Sequence, residues 1–205
     1  MDFESLELDK KKVDKNPIVQ FFRWMENALE AKVQDPNAMI LATSNKKGQP
    51  DARIVLLRGV DKNGFSFFTN YKSAKGKEIV ENKKVCLNFY WPELARQVRI
   101  KGVVEKLGSK VSDEYFQSRP RESQIGAWAS NQSEWIENRD ELNKKVEAFE
   151  KKFAGKKIPR PAHWGGYIVK PNSIEFWQGR TSRLHDRILF EKSKSGKWKI
   201  SRLCP

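Results

Sequence analysis

Short strand-like runs separated by tight turns constrain the fold of this chain more than any other feature of its sequence. Residues 48–50 and 61–64 have turn compositions, and the runs around them are rich in β-branched and aromatic residues. Units that alternate strand and helix are absent, which argues against Rossmann and TIM-barrel folds. Strands are predicted over residues 38–43, 52–58, 65–69, 85–91, 97–104, 164–169, 174–178, 187–191 and 198–203.

Helices are predicted only as single insertions between these strands. Asn16 can cap a helix whose first residue is Pro17, and apolar residues then follow at helical spacing. Pro120 breaks a helix and allows another to start after it. The pattern predicts a mainly β fold, an antiparallel barrel with inserted helices. The further helices are predicted over residues 73–82, 112–116 and 138–153.

The chain of 205 residues has the size of one large domain. Residues 1–15 are predicted to form a flexible N-terminal tail, and residues 16–205 a single domain. No signal peptide or membrane-spanning run is recognised. Cys86 and Cys204 match neither a disulfide framework nor a zinc pattern, so no metal is expected and a reducing, cytoplasmic setting is predicted.

The chain carries a formal net charge of +14 and a pI of about 9.8, which favours anionic partners. Nucleic acid is the usual inference from such a charge. The lysines are spread along the chain, however, and no zinc finger, helix-turn-helix or RNP motif is present. We therefore expect no nucleic-acid or membrane partner, while a non-catalytic, basic nucleic-acid-binding protein remains an alternative.

The segment 175–187 is the strongest candidate for a ligand site. If residues 183–187 run extended, Arg183, His185 and Arg187 share one face of a strand, close to Trp177. Three cationic or proton-carrying groups beside an aromatic ring suit a flat, anionic ligand. A solvated edge strand is the alternative interpretation. Because the sequence has no glycine-rich phosphate loop, side chains must hold any phosphate.

A second anion site is predicted around the break at Pro120. The proline keeps Arg119 out of the helical region, so a new helix starts near it. Arg119 and Ser123 then bracket a helix N-terminus, where free amide groups attract anions, and Tyr115 can approach the same point. An exposed capping turn is the alternative interpretation.

Three segments together resemble the pyridoxine (pyridoxamine) 5′-phosphate oxidase family, whose members use FMN. They are Arg-Ile-Val-Leu-Leu-Arg at 53–58, Ser-Arg-Pro-Arg-Glu-Ser-Gln-Ile-Gly-Ala-Trp at 118–128, and the segment from Phe176 to Arg187. The resemblance covers residues 16–205. It implies an FMN-binding split β-barrel that works as a homodimer with each flavin at the subunit interface. The implied reaction oxidises pyridoxamine or pyridoxine 5′-phosphate to pyridoxal 5′-phosphate, reducing O2 to H2O2.

The resemblance also implies roles for individual residues. The substrate ring and the reacting carbon are assigned to Arg183 and His185, which are the catalytic candidates. On the residues alone, Gln97 could equally be a surface amide. The implied substrate-binding residues are Arg58, Tyr115, Arg119, Ser123, Arg183 and His185. The implied FMN-binding residues are Arg53, Ile54, Val55, Leu56, Leu57, Arg58, Phe68, Thr69, Lys75, Gln97, Gln132, Ser133, Trp177 and Arg187.

The sequence departs from the family pattern at several positions. Arg58 replaces a usual Lys, Phe68 replaces a common Tyr, and Ala74 stands where an Arg often contacts the flavin phosphate. Residues 10–13 do not reproduce the Arg-rich segment that covers the substrate in many members. These departures keep open an alternative: a related split-barrel flavin oxidase of the phenazine-pathway type, acting on another aromatic substrate.

Overall fold

The structure is a computed structural model and describes residues 7–205. Its strands are β1 Ala38–Ser44, β2 Pro50–Leu56, β3 Gly59–Asp61, β4 Gly64–Asn70, β5 Lys84–Trp91, β6 Arg96–Lys106, β7 Trp164–Gln178, β8 Asp186–Lys192 and β9 Trp198–Leu203. Its α-helices are α1 Pro17–Glu30, α2 Ala74–Glu81, α3 Ser109–Ser118, α4 Arg121–Ala129 and α5 Arg139–Lys152. Short 3₁₀ turns cover Pro92–Leu94 and Thr181–Arg183.

The strands form one antiparallel sheet in the order β2-β1-β5-β6-β7-β4-β3, and β8 and β9 extend it from the second half of β7. Helix α1 precedes β1, α2 lies between β4 and β5, and α3 to α5 form one insertion between β6 and β7. The predicted mainly β class with inserted helices is confirmed. Within the described residues, no helix combines the length and apolar character needed to cross a membrane.

Helix α1 fills the main core inside the curved sheet. Asn16 caps it as predicted, since its side-chain oxygen accepts a hydrogen bond of 3.0 Å from the Ile18 amide. Phe21 is fully buried and meets Phe65 of β4 and Phe89 of β5 edge-on, with ring centroids 4.9 and 5.0 Å apart. These edge-to-face contacts join the helix to two strands that are not neighbours in the sheet.

A single strand, β7, replaces the two strands predicted over 164–169 and 174–178. The gap between the two predicted strands contains Pro171, and proline offers no amide donor to a sheet. The structure keeps the strand continuous through a β-bulge, in which the register against β6 shifts between Lys101 and Gly102. A side chain at Gly102 would lie 2.4 Å from the Lys170 carbonyl oxygen, so the bulge requires glycine there.

A smaller apolar cluster supports the inserted helices. It joins Phe116 of α3, Ile125 of α4 and the end of α5 to Trp164, the first residue of β7. The predicted helix caps at Ser73 and Asn138 are confirmed by hydrogen bonds to Gly76 and Glu141. This cluster forms one side of the site described below.

The N-terminal segment corrects the prediction of a flexible tail over residues 1–15. Residues 1–6 lie outside the described residues. Leu8, however, is only 6% exposed and packs in the main core. Its amide donates to the Asp186 carboxylate, and its carbonyl accepts from Arg202. Charge alone suggested a solvated segment, but burial of one leucine side chain and two hydrogen bonds hold this part of the chain against β8 and β9.

Candidate functional site

A cavity of about 410 Å³ opens where β2 and β4 meet helices α2, α3 and α4. Its volume is in the range of small-molecule sites. It brings together many residues that the sequence singled out: Ile54, Val55, Leu56, Arg58, Phe68, Thr69, Lys75, Tyr115, Arg119, Ser123 and Gln132. Other lining residues were not predicted: Asn70, Gly126, Ala127, Ser130 and Trp164.

Strand β2 supplies an apolar wall to this cavity. Ile54 is 71% exposed and Leu56 is 39% exposed, so these large apolar side chains project away from the main core. Leu57 behaves differently: its side chain is buried in the main core and does not line the cavity. Arg58 follows directly and places its side chain at the cavity.

Arg53, at the centre of β2, does not line the cavity. Its Nη2 atom lies 2.5 Å from a carboxylate oxygen of Asp51 and 3.2 Å from one of Glu78. Its Nη1 atom donates to Thr43 Oγ1 and to the Leu41 carbonyl. The side chain is only 18% exposed, so Arg53 is held in an ion-pair network behind the cavity wall.

Lys75 is a buried cation at the α2 side of the cavity. The Ser73 cap fixes the first turn of α2, and Lys75 lies in that turn with only 8% exposure. Its ammonium donates to the side-chain oxygen of Gln132 at 3.2 Å, which also accepts from Thr69 at 3.3 Å. Burial, followed by the nearby positive charge of Arg53, lowers the pKa of Lys75. An anion bound at this position would offset the free-energy cost of burying the charged ammonium.

Arg119 is a second cation, at the junction of α3 and α4. It adopts an extended backbone with φ −75° and ψ 148°, as expected before Pro120. Its guanidinium lies 4.5 Å from the ring centroid of Trp164. Burial lowers the pKa of Arg119, and its Nη1 atom is buried without a hydrogen-bond partner in the described part of the chain. A buried donor without an acceptor is costly, and an anion bound at the cavity could supply the missing acceptor.

An aromatic stack holds the Arg119 side of the cavity. The rings of Phe68 and Tyr115 are 3.8 Å apart and 19° from parallel, and the ring of Trp164 lies 4° from the plane of Tyr115. Trp164 was not predicted as a site residue. Its place depends on its pairing with Asn70 across β4 and β7, and strand register cannot be read from a local sequence pattern.

A second group of predicted residues forms a row across β6, β7 and β8. Gln97 pairs with Trp177, and Trp177 pairs with Arg187, so the three side chains share one face of the sheet. None of them lines the cavity. Arg187 donates from Nε to Glu175 at 2.8 Å and from Nη1 to the Cys204 carbonyl at 2.9 Å. The hydrogen bond to Glu175 raises the pKa of Arg187.

The prediction that residues 183–187 run extended is wrong. Residues 181–183 form a 3₁₀ turn, closed by a hydrogen bond of 3.1 Å from the Leu184 amide to the Thr181 carbonyl. Ser182 and Arg183 have left-handed backbone with φ 54° and 59°, and β8 begins only at Asp186. Non-glycine residues in this region carry strain, which often accompanies a functional site. Arg183, in this exposed turn, does not continue the face of β8 that carries Arg187.

His185 lies between this turn and the row. Its Nδ1 atom accepts a hydrogen bond of 3.1 Å from the Arg180 amide, and its ring centroid is 4.6 Å from that of Trp177. A neutral imidazole that accepts at Nδ1 carries its proton on Nε2. Ser133, in contrast, is exposed with φ 72° and lines a separate cavity beside Trp135.

Comparison with known proteins identifies the family of this chain. Residues 25–153 match the family described as pyridoxamine 5′-phosphate oxidase. The chain belongs to this family. Residues 164–205 match the pyridoxine 5′-phosphate oxidase C-terminal dimerisation region. The row of Gln97, Trp177 and Arg187 thus has two of its three members in a segment typical of subunit contact.

Relatives in this oxidase family are similar in sequence to nearly the whole of this chain. A protein from Nostoc sp. is 54% identical over 198 residues, which cover 97% of this chain and 92% of the relative. One from Cytophaga hutchinsonii is 49% identical over 205 residues and covers 100% of this chain and 95% of the relative. Both are named pyridoxine/pyridoxamine 5′-phosphate oxidase.

Solved structures confirm the predicted split-barrel fold. PhzG from Burkholderia lata, solved in complex with tetrahydrophenazine-1-carboxylic acid, has a TM-score of 0.91 at 29% identity, covering 97% of this chain and 98% of PhzG. A pyridoxamine 5′-phosphate oxidase-related, FMN binding protein from Nostoc punctiforme has a TM-score of 0.71 at 15% identity, covering 97% of this chain and 100% of that one. At 15% identity, the similarity to the Nostoc punctiforme protein shows a shared fold and nothing further.

The cavity fits FMN, the cofactor that the sequence resemblance implies. FMN joins a phosphate to a flat ring system, so its site needs a buried cation and apolar walls. Lys75 provides a buried ammonium that has one neutral amide oxygen as its hydrogen-bond partner in residues 7–205. Ile54 and Leu56 provide apolar surface nearby. The unpartnered Nη1 of Arg119 lies at the same cavity and suits a second anion.

Proposed function

We propose that this family member uses FMN to oxidise pyridoxamine 5′-phosphate or pyridoxine 5′-phosphate to pyridoxal 5′-phosphate. FMN would supply the redox chemistry, a two-electron oxidation at the exocyclic carbon of the substrate, with O2 as the final acceptor and H2O2 as its product. For the amine substrate, one water would then release ammonia to leave the aldehyde. The observation that carries the proposal is a pair of cations at one cavity: Lys75, which is buried, and Arg119, which is half-buried but has a buried Nη1 atom without a hydrogen-bond partner in residues 7–205. Two organic phosphates, one on the cofactor and one on the substrate, match that pair.

The FMN phosphate is assigned to the Lys75 side of the cavity. Thr69 and Gln132 bond to each other there and can exchange that contact for the phosphate. Arg53 lies behind this side and adds positive charge, although Asp51 and Glu78 offset part of it. The flavin ring then lies along residues 54–57, with Leu57 contributing backbone alone.

The substrate phosphate is assigned to the Arg119 side. Arg119 offers a desolvated guanidinium, which binds phosphate more strongly than an exposed one. Tyr115 and Ser123 line the same part of the cavity and supply hydroxyl groups. Arg58 lies close enough for its charge to lower the pKa of Arg119, so it adds a further cation for the substrate or the cofactor.

The row of Gln97, Trp177 and Arg187 is assigned to the cavity of a partner subunit. Trp164 lines the cavity of its own chain, whereas Trp177 lies at the opposite end of β7. At about 3.3 Å per residue, the path along the strand between them is roughly 43 Å. In a homodimer formed through the C-terminal region, this row would lie closer to the flavin in the partner's cavity than to the flavin in its own. The match to a dimerisation region supports this arrangement.

Arg183 and His185 are assigned to the substrate that this row faces. The contact between His185 and Trp177 ties the histidine to the flavin-binding row. Its Nε2–H can donate to the substrate ring or to its exocyclic group, while the Arg180 amide keeps the ring oriented. Arg183 is exposed at the adjacent turn and can reach a bound anion.

One turnover experiment tests this function. The protein is loaded with FMN and mixed with pyridoxine 5′-phosphate, pyridoxamine 5′-phosphate or a reduced phenazine carboxylic acid, and product and H2O2 are measured. We expect both B6 phosphates to give pyridoxal 5′-phosphate and the phenazine to give little turnover, because it offers no phosphate to Arg119. Turnover of the phenazine alone would support the alternative oxidase. A colourless protein that shows no flavin absorbance with FMN would support the nucleic-acid-binding alternative.

A further inference from the structure

Glu175 is a buried carboxylate on the outer face of the sheet. Its neighbours in β7, Ile174 and Phe176, point into the main core, so Glu175 points to the opposite face together with Trp177. Its side chain is nevertheless only 4% exposed. A charged group so far from water needs partners that repay its desolvation.

Two arginines from the neighbouring strands provide those partners. Arg99 pairs directly with Glu175 across β6 and β7, and its Nη2 atom contacts Oε2. Arg187 lies diagonally in β8, and its Nε atom donates to Oε1 at 2.8 Å. One carboxylate thus connects three strands, and each of its oxygens binds a different guanidinium.

These contacts fix the orientation of Arg187. The guanidinium is held at Nε by Glu175 of β7 and at Nη1 by the carbonyl of Cys204, the residue after β9, so two contacts from different parts of the chain set its plane. Those are the hydrogen bonds that the structure gives Arg187 within the described residues. A long side chain fixed in this way loses less conformational freedom when it binds a ligand.

The charge balance leaves Arg187 able to attract an anion. Three cations lie on this face of the sheet, Arg99, Lys101 and Arg187. Two carboxylates share the face with them, Glu175 and Glu191. The cluster therefore keeps a positive excess. Glu175 therefore does not neutralise the positive charge of Arg187 within this cluster.

We propose that Glu175 is a positioning residue: it holds Arg187 in the orientation in which it binds the flavin, and Arg99 keeps Glu175 in place. This proposal rests on the flavin role given to Arg187 in the proposed function. Glu175 itself need not touch the cofactor. A purely structural ion pair is the competing explanation, and the two differ in whether the effect of Glu175 on FMN depends on Arg187.

A double-mutant cycle separates these explanations. The dissociation constant of FMN is measured by flavin fluorescence on apoprotein of four forms: the parent, Glu175→Gln, Arg187→Ala and the double variant. If Glu175 acts through Arg187, Glu175→Gln weakens FMN binding roughly tenfold in the parent and changes it little once Arg187 is gone. Thermal unfolding is recorded in parallel, because a structural role alone would lower Tm without this coupling.

Glu105 provides a matched control on the same pair of strands. It forms an exposed ion pair with Lys170 at 2.6 Å between β6 and β7. Glu105→Gln removes a carboxylate from the same sheet without touching the row, so FMN binding should stay at the parent value. If Glu175→Gln does not fold, Glu175→Asp replaces it. Aspartate keeps the charge but is one methylene shorter, so FMN should dissociate faster from a folded protein.

The outcomes distinguish this proposal from the function it rests on. If Arg187→Ala leaves FMN affinity unchanged, the flavin role of Arg187 is wrong and the positioning role of Glu175 is lost with it. If Arg187→Ala weakens FMN binding but the folded Glu175 variants bind normally, the positioning role alone is wrong. Equal weakening by Glu175→Gln with and without Arg187 would show that Glu175 acts on the fold as a whole.

Discussion

The backbone amide of Leu8 donates a hydrogen bond of 3.2 Å to the carboxylate of Asp186, a residue 178 positions further along the chain. The same carboxylate lies 2.5 Å from Nη1 of Arg202, whose Nη2 atom donates to the Leu8 carbonyl at 2.9 Å. The ion pair between Asp186 of β8 and Arg202 of β9 thus binds both the backbone amide and the backbone carbonyl of Leu8. The N-terminal segment around Leu8 therefore lies beside β8, the strand that carries Arg187 and follows the turn of Arg183.

Asp186→Ala should release this segment. The change removes the ion-pair partner of the exposed Arg202 and the acceptor for the Leu8 amide, and leaving that largely buried amide unpaired costs about 1–3 kcal/mol. We expect trypsin to cleave at residues 10–12 markedly faster, as followed by mass spectrometry of the intact chain. Arg202→Ala should act in the same direction. Glu191→Gln, at the exposed far end of β8, should leave cleavage unchanged.

Arg119→Ala should weaken substrate binding and leave FMN content normal. Removing a desolvated guanidinium from a phosphate costs about 2–5 kcal/mol, so the KM for pyridoxine 5′-phosphate should rise by at least tenfold. The matched control is Arg121→Ala, since Arg121 bonds to the Phe153 and Lys156 carbonyls and does not line the cavity. Loss of FMN with an unchanged KM would mean that the two phosphate assignments are reversed.

The helices of this chain were predictable because their signals are local. Asn16, Ser73 and Asn138 each accept a hydrogen bond from the first turn that follows, and such caps need only a few adjacent residues. The strands were also largely predictable, since turn residues separate them. The division of β7 into strands over 164–169 and 174–178 was wrong because a bulge, formed with a strand distant in sequence, keeps β7 continuous.

The candidate site was predictable in its residue types but not in its geometry. The left-handed backbone at Ser182 and Arg183 has no sequence signal, because it falls on residues other than glycine. The contacts of Trp164 with Arg119 and of Glu175 with Arg187 depend on register and packing between strands far apart in sequence. Local periodicity carries no information on such pairs.

Lys75 gives a pH dependence that can be measured on the apoprotein. Its pKa is lowered in the folded state from the ordinary value of 10.5, so between the two values the unfolded chain binds more protons. Stability contributed by this group therefore rises with pH through that window and is least at neutral pH. Lys75→Met should raise the apoprotein Tm at pH 7.5, reduce its rise toward pH 10, and weaken FMN binding. Lys77→Met, on the exposed side of α2, should change none of these.

Arg183→Ala should give a folded protein that retains FMN but turns over slowly. Losing a preorganised electrostatic contact with the substrate typically reduces kcat/KM by about 10²-fold or more. His185→Ala should also lower kcat/KM, because it removes the oriented Nε2–H donor. Leu184→Ala is the matched control, since Leu184 is 70% exposed in the same turn. Near-normal turnover in Arg183→Ala would remove this residue from the catalytic set.

The last prediction concerns how two subunits share a flavin site. If Lys75 from one chain and Arg187 from its partner bind the same FMN, a dimer of one Lys75→Met chain and one Arg187→Ala chain contains one site with both changes and one with neither. Coexpression with two different tags and purification through both isolates that heterodimer. We expect about one firmly bound FMN per heterodimer, whereas each variant homodimer binds FMN weakly at both sites. A site built within a single chain would instead leave every site with one defect. Equally weak FMN binding in the heterodimer and in both homodimers would therefore contradict the shared site.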